Sequence, residues 1–210
     1  MHKPAIDPRT CILEYRSGLQ AVLDGLAVDD IHEAIAYFHE AYDQGRQVFI
    51  VGNGGSAATA SHMACDLAKS VLGRAGEANA RRFKAIALTD NMPLVTAWGN
   101  DASYEHVFAE QLRNLANPGD LLVVITASGN SPNVVAAAKV ASQLDLRSIG
   151  LLGFDGGVVR GLLDHAIVVA SDNYGYVEDA HMILNHLITD YFKQVIGSGA
   201  GLLERAVAQA

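Results

Sequence analysis

The chain has 210 residues, of which 50% are apolar and 18% charged, and its formal net charge is −8. This length and composition fit one domain with a substantial buried core and argue against a disordered chain. The acidic balance argues against nucleic acid or an anionic membrane as a partner. The sequence shows neither a signal-peptide pattern nor an apolar run of about 18 residues, so we expect a cytoplasmic protein that does not span a membrane.

The chain begins with two predicted amphipathic helices, at about 7–24 and 30–44, for which a neighbouring subunit is a candidate packing partner. Five apolar runs follow near 47–52, 84–89, 120–126, 146–152 and 165–170, with helical patterns between them. This alternation predicts an α/β fold with a doubly wound, parallel five-stranded sheet flanked by helices. We expect a single domain over 1–210, with its core at about 30–195, a mobile loop at 73–82 and a flexible tail at about 197–210.

The first apolar run, Val48–Val51, leads at once into the turn Gly52-Asn53-Gly54-Gly55-Ser56 and then into a helical pattern. Glycines in such a turn let the backbone approach a ligand, and the positive end of the following helix favours an anion such as phosphate. The P-loop pattern is absent, and Ala57 stands where the dinucleotide fingerprint needs glycine. A tight turn without a ligand is the alternative interpretation.

A second turn of this kind follows the third apolar run. Its sequence is Thr126-Ala127-Ser128-Gly129-Asn130-Ser131-Pro132, and a helix is predicted over 133–144. Ser131 suits the N-cap of that helix, and Pro132 suits its first turn. Such turns are often only caps, but two of them at the carboxyl ends of parallel strands predict a shared crevice.

Titratable side chains on two predicted helices form a candidate acid–base or metal group. His62 and Asp66 are spaced i, i+4 behind the glycine turn, so they share a helix face. Glu178 and His186 are spaced i, i+8 on a C-terminal helix predicted from about residue 176. A surface pair and core or interface histidines are the structural alternatives, and the C-terminal helix carries two further candidates, Asp179 and His181.

The segments GNGGSAATASHMACDL and TASGNSPNVVAAAK resemble the sugar isomerase (SIS) domain family, and within it the phosphoheptose isomerases. The likeness extends over about residues 10–195 and includes Trp98-Gly99-Asn100-Asp101 after a predicted strand. It implies an aldose–ketose isomerase that converts sedoheptulose 7-phosphate to D-glycero-D-manno-heptose 7-phosphate through an enediol, in heptose biosynthesis. It also implies a homotetramer.

The resemblance assigns roles to individual residues. It makes Asp66 the base and His186 its acid partner, and it implies Zn²⁺ held by His62, Asp66, Glu178 and His186. Asp66 and Glu178 stand where the family has glutamate and glutamine. The implied substrate-binding residues occupy both turns and their surroundings: Asn53, Gly54, Gly55, Ser56, Asn100, Asp101, Thr126, Ala127, Ser128, Ser131 and Glu178.

Two other functions compete with this one. One relative of the family, the bacterial replication regulator that binds the initiator protein, keeps the fold as a non-catalytic binding module. A different sugar phosphate is the other alternative, because pocket length decides the substrate. Both motif histidines are retained here, which favours the enzyme over the binding module.

Overall fold

The structure, a computed structural model, describes residues 6–72 and 81–197. Its helices are α1 (Pro8–Asp24), α2 (Val28–Gln44), α3 (Gly55–Ala68), α4 (Met92–Asp101), α5 (Ala109–Leu115), α6 (Pro132–Gln143), α7 (Gly157–Arg160) and α8 (Tyr174–Gly197). Its strands are β1 (Gln47–Val51), β2 (Lys84–Ala87), β3 (Leu121–Thr126), β4 (Arg147–Gly153) and β5 (His165–Val169). Short 3₁₀ turns lie at Ser70–Leu72 and Tyr104–His106.

The five strands form one parallel sheet in the order β2-β1-β3-β4-β5, as predicted. The direction of winding reverses between β1 and β3. In open α/β sheets the ligand crevice lies beyond the carboxyl ends of the strands at such a reversal. The glycine turn follows β1 and the serine turn follows β3, so the topology brings both predicted turns to this crevice.

Helices cover both faces of the sheet. In β1, Val48 and Ile50 pack with α2, α3 and α8, whereas Phe49 and Val51 pack on the other side with α5 and α6. Successive side chains of a strand point to opposite faces, and here both faces are buried. This burial explains why the strands appear in the sequence as continuous apolar runs.

The two predicted N-terminal helices are both present. Asp7 caps α1 by accepting hydrogen bonds from the backbone N–H groups of Arg9 and Thr10. Helix α1 buries no residue within the chain and lies along α8, where the Tyr15 hydroxyl donates to Asp179 at 2.8 Å. Helix α2 packs on the sheet instead.

The segment Trp98–Asp101, predicted to come after a strand, forms the end of α4, which follows β2. Helix α4 starts at Met92 because Asn91 caps it, accepting from the Leu94 N–H at 3.2 Å, and because a proline lies in its first turn. Apart from Arg81, Arg82 and Gly197, the loop and the tail predicted at 73–82 and 197–210 lie outside the described residues. Over the described ranges, no helix combines the length and apolar content that a bilayer span requires.

Candidate active site

The glycine turn after β1 is held in a backbone conformation that suits glycine. Gly54 has φ +56° and precedes α3 without any side-chain cap. At Gly52, an added Cβ would lie 2.6 Å from the carbonyl oxygen of Ser56, so the backbone packs closely on itself. The first turn of α3 therefore keeps backbone N–H groups that no side chain caps, as an anion site needs.

The serine turn after β3 is equally tight. Thr126 Oγ1 accepts from the backbone N–H of Gly129 at 3.3 Å. Gly129 has φ +65°, and a Cβ there would lie 1.9 Å from the carbonyl oxygen of Gly156. Ser131 occupies the predicted N-cap position of α6, but its side chain makes no capping hydrogen bond. Its hydroxyl therefore remains available at the start of that helix.

An amide pair that the sequence did not reveal joins the two turns. Asn53 and Asn133 each donate to the other's side-chain oxygen at 2.9 Å, and the Tyr104 hydroxyl donates to Asn53 at 3.2 Å. Asn133 is only 2% exposed. The only sequence signal for Asn133 was its place in the first turn of a predicted helix.

Asn100 and Asp101 lie exposed at the end of α4, where the Asn100 amide donates to Asp101 at 2.8 Å. The preceding Gly99 faces the ring of Tyr104, with 3.9 Å between its ideal Cβ position and that ring. Tyr104 therefore links this predicted substrate-binding segment to the glycine turn.

His62, Asp66 and His186 meet on the surface between α3 and α8. His62 Nε2 lies 3.2 Å from Asp66 Oδ2 and 3.1 Å from His186 Nε2, and His186 Nε2 lies 4.0 Å from Asp66 Oδ2. One donor atom from each side chain falls within 4.8 Å of the others. Two imidazoles and a carboxylate form a typical zinc donor set, whose atoms are about 3.3 Å apart on a tetrahedral ion. The three residues therefore fit a zinc ion.

Two neutral donors hold the Asp66 carboxylate from behind. Ser70 Oγ donates to Oδ1 at 2.9 Å, and Asn185 Nδ2 donates to Oδ2 at 3.1 Å. The Asp66 side chain is 12% exposed, whereas those of His62 and His186 are 46% and 56% exposed. A cavity of about 430 Å³ opens beside this group, and it is lined by Asp66, Ile183, His186, Leu187, Thr189 and Asp190.

Among the described residues, Glu178 is not part of the group formed by His62, Asp66 and His186. Its carboxylate lies over Gly55, where an added Cβ would come within 2.5 Å of it. Gly55 of α3 meets Glu178 of α8, and His62 further along α3 meets His186 further along α8, so the two packed helices run in the same direction. The seven residues from Gly55 to His62 span about 10 Å along α3. Glu178 therefore lies at the N-terminal end of α3, beside the glycine turn and away from the histidines.

The two alternative candidates on α8 are also outside this group. Asp179 accepts the hydrogen bond of Tyr15, which raises the pKa of that tyrosine. His181 is 1% exposed, and its burial lowers its pKa to about 4, an effect that the Leu152 backbone only partly offsets. His181 therefore belongs to the core, and His186 to the surface site.

A family model described as the SIS domain matches residues 14–153. The phosphoheptose isomerase of Clostridium acetobutylicum is 36% identical over 168 residues, which are 80% of this chain and 83% of that protein. The phosphoheptose isomerase of Geotalea daltonii is 39% identical over 155 residues, 74% of this chain and 78% of that protein.

Among solved structures, the phosphoheptose isomerase of Neisseria gonorrhoeae superposes with a TM-score of 0.81 at 28% identity, covering 90% of this chain and 100% of that one. The fold and the converging site define a sugar-isomerase domain. The chain belongs to the SIS domain family, and within it to the phosphoheptose isomerases.

Proposed function

We propose that the protein converts sedoheptulose 7-phosphate to D-glycero-D-manno-heptose 7-phosphate, with Asp66 as the base and His186 as its acid partner. The observation that carries this proposal is the meeting of His62, Asp66 and His186 beside a cavity. The binding module of the replication-regulator type is not favoured, because it needs no such group.

In the proposed reaction, the base removes a proton from the carbon next to the ketose carbonyl, and the carbonyl oxygen gains a proton. The resulting enediol then receives a proton at the former carbonyl carbon while the other hydroxyl loses one, which gives the aldose. Asp66 Oδ2 faces the open side of the site through its contacts with His62 and His186, so it can exchange the carbon-bound proton. The imidazole of His186 is more than half exposed, and in this proposal it exchanges protons with the substrate oxygen atoms through Nδ1, because Nε2 faces His62 and Asp66.

The residues that hold Zn²⁺ in this proposal are His62, Asp66 and His186, as one ion per subunit. When bound, zinc supplies Lewis-acid polarisation of the substrate oxygens, where negative charge develops along the reaction. Glu178 lies over Gly55, and we assign it to the substrate hydroxyls instead of the metal.

The two turns hold the phosphate in this proposal. Ser56, Ser128 and Ser131, together with the backbone N–H groups of Gly54 and Gly55, are the phosphate donors. The hydroxyl groups of the sugar are bound by residues around the two turns: Asn53, Asn100, Asp101, Thr126 and Ala127. The Ser131 hydroxyl, which makes no capping bond, is a free donor at the start of α6.

We further propose that the protein assembles as a homotetramer. Against the described part of the chain, helix α1 has no fully buried residue, and Ile12 and Leu13 are more than half exposed. On α8, Ile183, Leu187 and Tyr191 form an exposed apolar row at i, i+4, i+8, next to the zinc group. Contact with neighbouring subunits would bury both surfaces. The cytoplasmic location stays a prediction from the sequence.

The decisive experiment is an isomerase assay of the zinc-loaded protein in D₂O, followed by NMR. We expect sedoheptulose 7-phosphate to give the aldose, with solvent deuterium entering at the carbons that exchange protons through the enediol. Preferential turnover of a shorter or longer sugar phosphate would favour the alternative substrate. Binding of the sugar phosphate with no turnover would favour the binding module.

A further inference from the structure

We infer that Asn185 is a positioning residue for Asp66: its buried amide fixes the carboxylate in the orientation that presents Oδ2 to His62 and His186. This inference rests on the proposed function, because it assigns a role within that site. Asn185 does not line the cavity beside His62, Asp66 and His186, and it was not a candidate from the sequence, where it is one of several polar residues of α8.

The contacts of Asp66 show what the amide does. Ser70 donates to Oδ1 at 2.9 Å and Asn185 donates to Oδ2 at 3.1 Å, so each carboxylate oxygen has one neutral donor. Oδ2 is also the atom nearest to His62 Nε2 and His186 Nε2, at 3.2 and 4.0 Å. Tilting the carboxylate plane would break both donor contacts, so the pair of donors fixes the orientation in which one carboxylate oxygen meets the imidazoles.

The other contacts of the Asn185 side chain are weak or missing, so its hydrogen bond to Asp66 is the main one it makes. Asn185 is 1% exposed, and its Oδ1 has no hydrogen-bond partner among the residues that the structure describes. Its amide nitrogen has one other contact, with the sulfur of Met182 at 3.9 Å, which is weak. A buried amide with an unpaired oxygen costs free energy that an apolar side chain of similar size would avoid. The one short hydrogen bond that offsets this cost goes to Asp66.

The helices do not need this amide to hold them together. Met63 and Leu67 of α3 and Leu184 and Ile188 of α8 are buried in the same apolar cluster. Removal of Asn185 should therefore leave α3 and α8 packed while it frees the carboxylate. Residues that orient a ligating carboxylate typically change metal affinity or activity by about 10- to 100-fold when they are replaced.

The test compares Asn185→Leu with Gln111→Leu as the matched control. Gln111 is another buried amide, 1% exposed, but it donates to the carbonyl oxygens of Leu88 and Val107 on the other side of the sheet. Three quantities are measured on folded protein: zinc affinity by competition with a chelator, the visible spectrum of the Co²⁺-substituted protein, and kcat and KM for sedoheptulose 7-phosphate.

We expect Asn185→Leu to lower zinc affinity and kcat by about 10- to 100-fold, to shift the Co²⁺ bands, and to leave KM nearly unchanged. Gln111→Leu should lower the stability of the protein but leave zinc affinity, the Co²⁺ spectrum and kcat unchanged. Asn185→Ala also removes the donor, without adding a charge, and carries the same test if leucine prevents folding. Unchanged zinc affinity, spectrum and kcat in a folded variant would overturn the inference. A wild-type protein that neither binds zinc nor isomerises the sugar would instead overturn the proposed function, and this inference with it.

Discussion

Asn53 and Asn133 exchange two side-chain hydrogen bonds of 2.9 Å across the crevice between β1 and β3. One residue belongs to the glycine turn and the other to the first turn of α6. The pair therefore sets the distance between the two turns that are proposed to share one phosphate group, and Tyr104 adds a third contact on the same amide.

Replacing Asn133 by alanine should loosen this arrangement. The change leaves Asn53 without its paired amide in a partly buried position, so we expect the free energy of unfolding to fall by about 1–3 kcal/mol. The KM for the sugar phosphate should rise while zinc affinity stays the same. Urea unfolding and steady-state kinetics measure both effects, with the exposed Asn114→Ala as the control. An unchanged KM would show that the amide pair does not position the phosphate site.

Loss of Ser128 and Ser131 should weaken phosphate binding. Each hydrogen bond to a charged group is worth about 1.5–3 kcal/mol, so the double alanine variant should bind the sugar phosphate at least tenfold more weakly. Calorimetric titration with substrate measures the change. Ser142→Ala, at the exposed opposite end of α6, should bind as the wild type does. Equal affinities for all three proteins would remove the serine turn from the proposed phosphate site.

Removal of either imidazole should abolish zinc binding without unfolding the protein. His62→Ala and His186→Ala each delete one donor of the zinc group, and both side chains are about half exposed, so the fold should persist. We expect elemental analysis to show lost zinc and turnover to fall by about 10²–10⁴-fold, the usual contribution of a general acid or base. His32→Ala, on the exposed side of α2, should keep its zinc and its activity.

Asp66→Asn should abolish the base and lower turnover by about 10²–10⁴-fold. Asp66→Glu restores the residue type of the resembled family, but it moves the carboxylate about 1.5 Å from Ser70 and Asn185, which hold it now. We therefore expect Asp66→Glu to lower kcat as well. A glutamate variant with equal or higher kcat would show that these two donors do not define the working position of the carboxylate.

His181 should make the protein sensitive to acid. The unfolded chain protonates this histidine near pH 6.5, whereas the folded chain does so only near pH 4. The unfolded state therefore binds more protons between these values, and stability is full above pH 6.5 and falls as pH drops towards 4. The loss amounts to about 3 kcal/mol. Urea unfolding at pH 7 and pH 4.5 should show a smaller difference for His181→Leu than for the wild type, while His32→Ala keeps the wild-type difference.

The sequence predicted those parts of the site that depend on local pattern. The glycine turn after Val51 and the i, i+4 spacing of His62 and Asp66 are properties of consecutive residues, and the sheet that holds them follows from apolar runs. The family resemblance supplied the link to His186, which is 124 residues from His62.

What the sequence missed depends on how two helices lie against each other. The i, i+8 spacing of Glu178 and His186 fixes their shared side of α8 but not their level along α3, so it could not show that Glu178 lies over Gly55. The same is true of Asn133 and Asn185. An amide within a helix has no local signature, and the role of each comes from a partner about 80 or 119 residues away.

Helix α8 is the last described element, and it carries His186 and Asn185 on the same helix as Leu184, Ile188 and Phe192 of the core. An emerging chain therefore contains both turns of the crevice and the proposed base Asp66 before it contains His186, the proposed acid partner. Chemistry starts only when the final helix closes over α3, and that closure also seals one face of the sheet. Enzymatic activity in this protein therefore reports that the chain has folded as far as its last described helix.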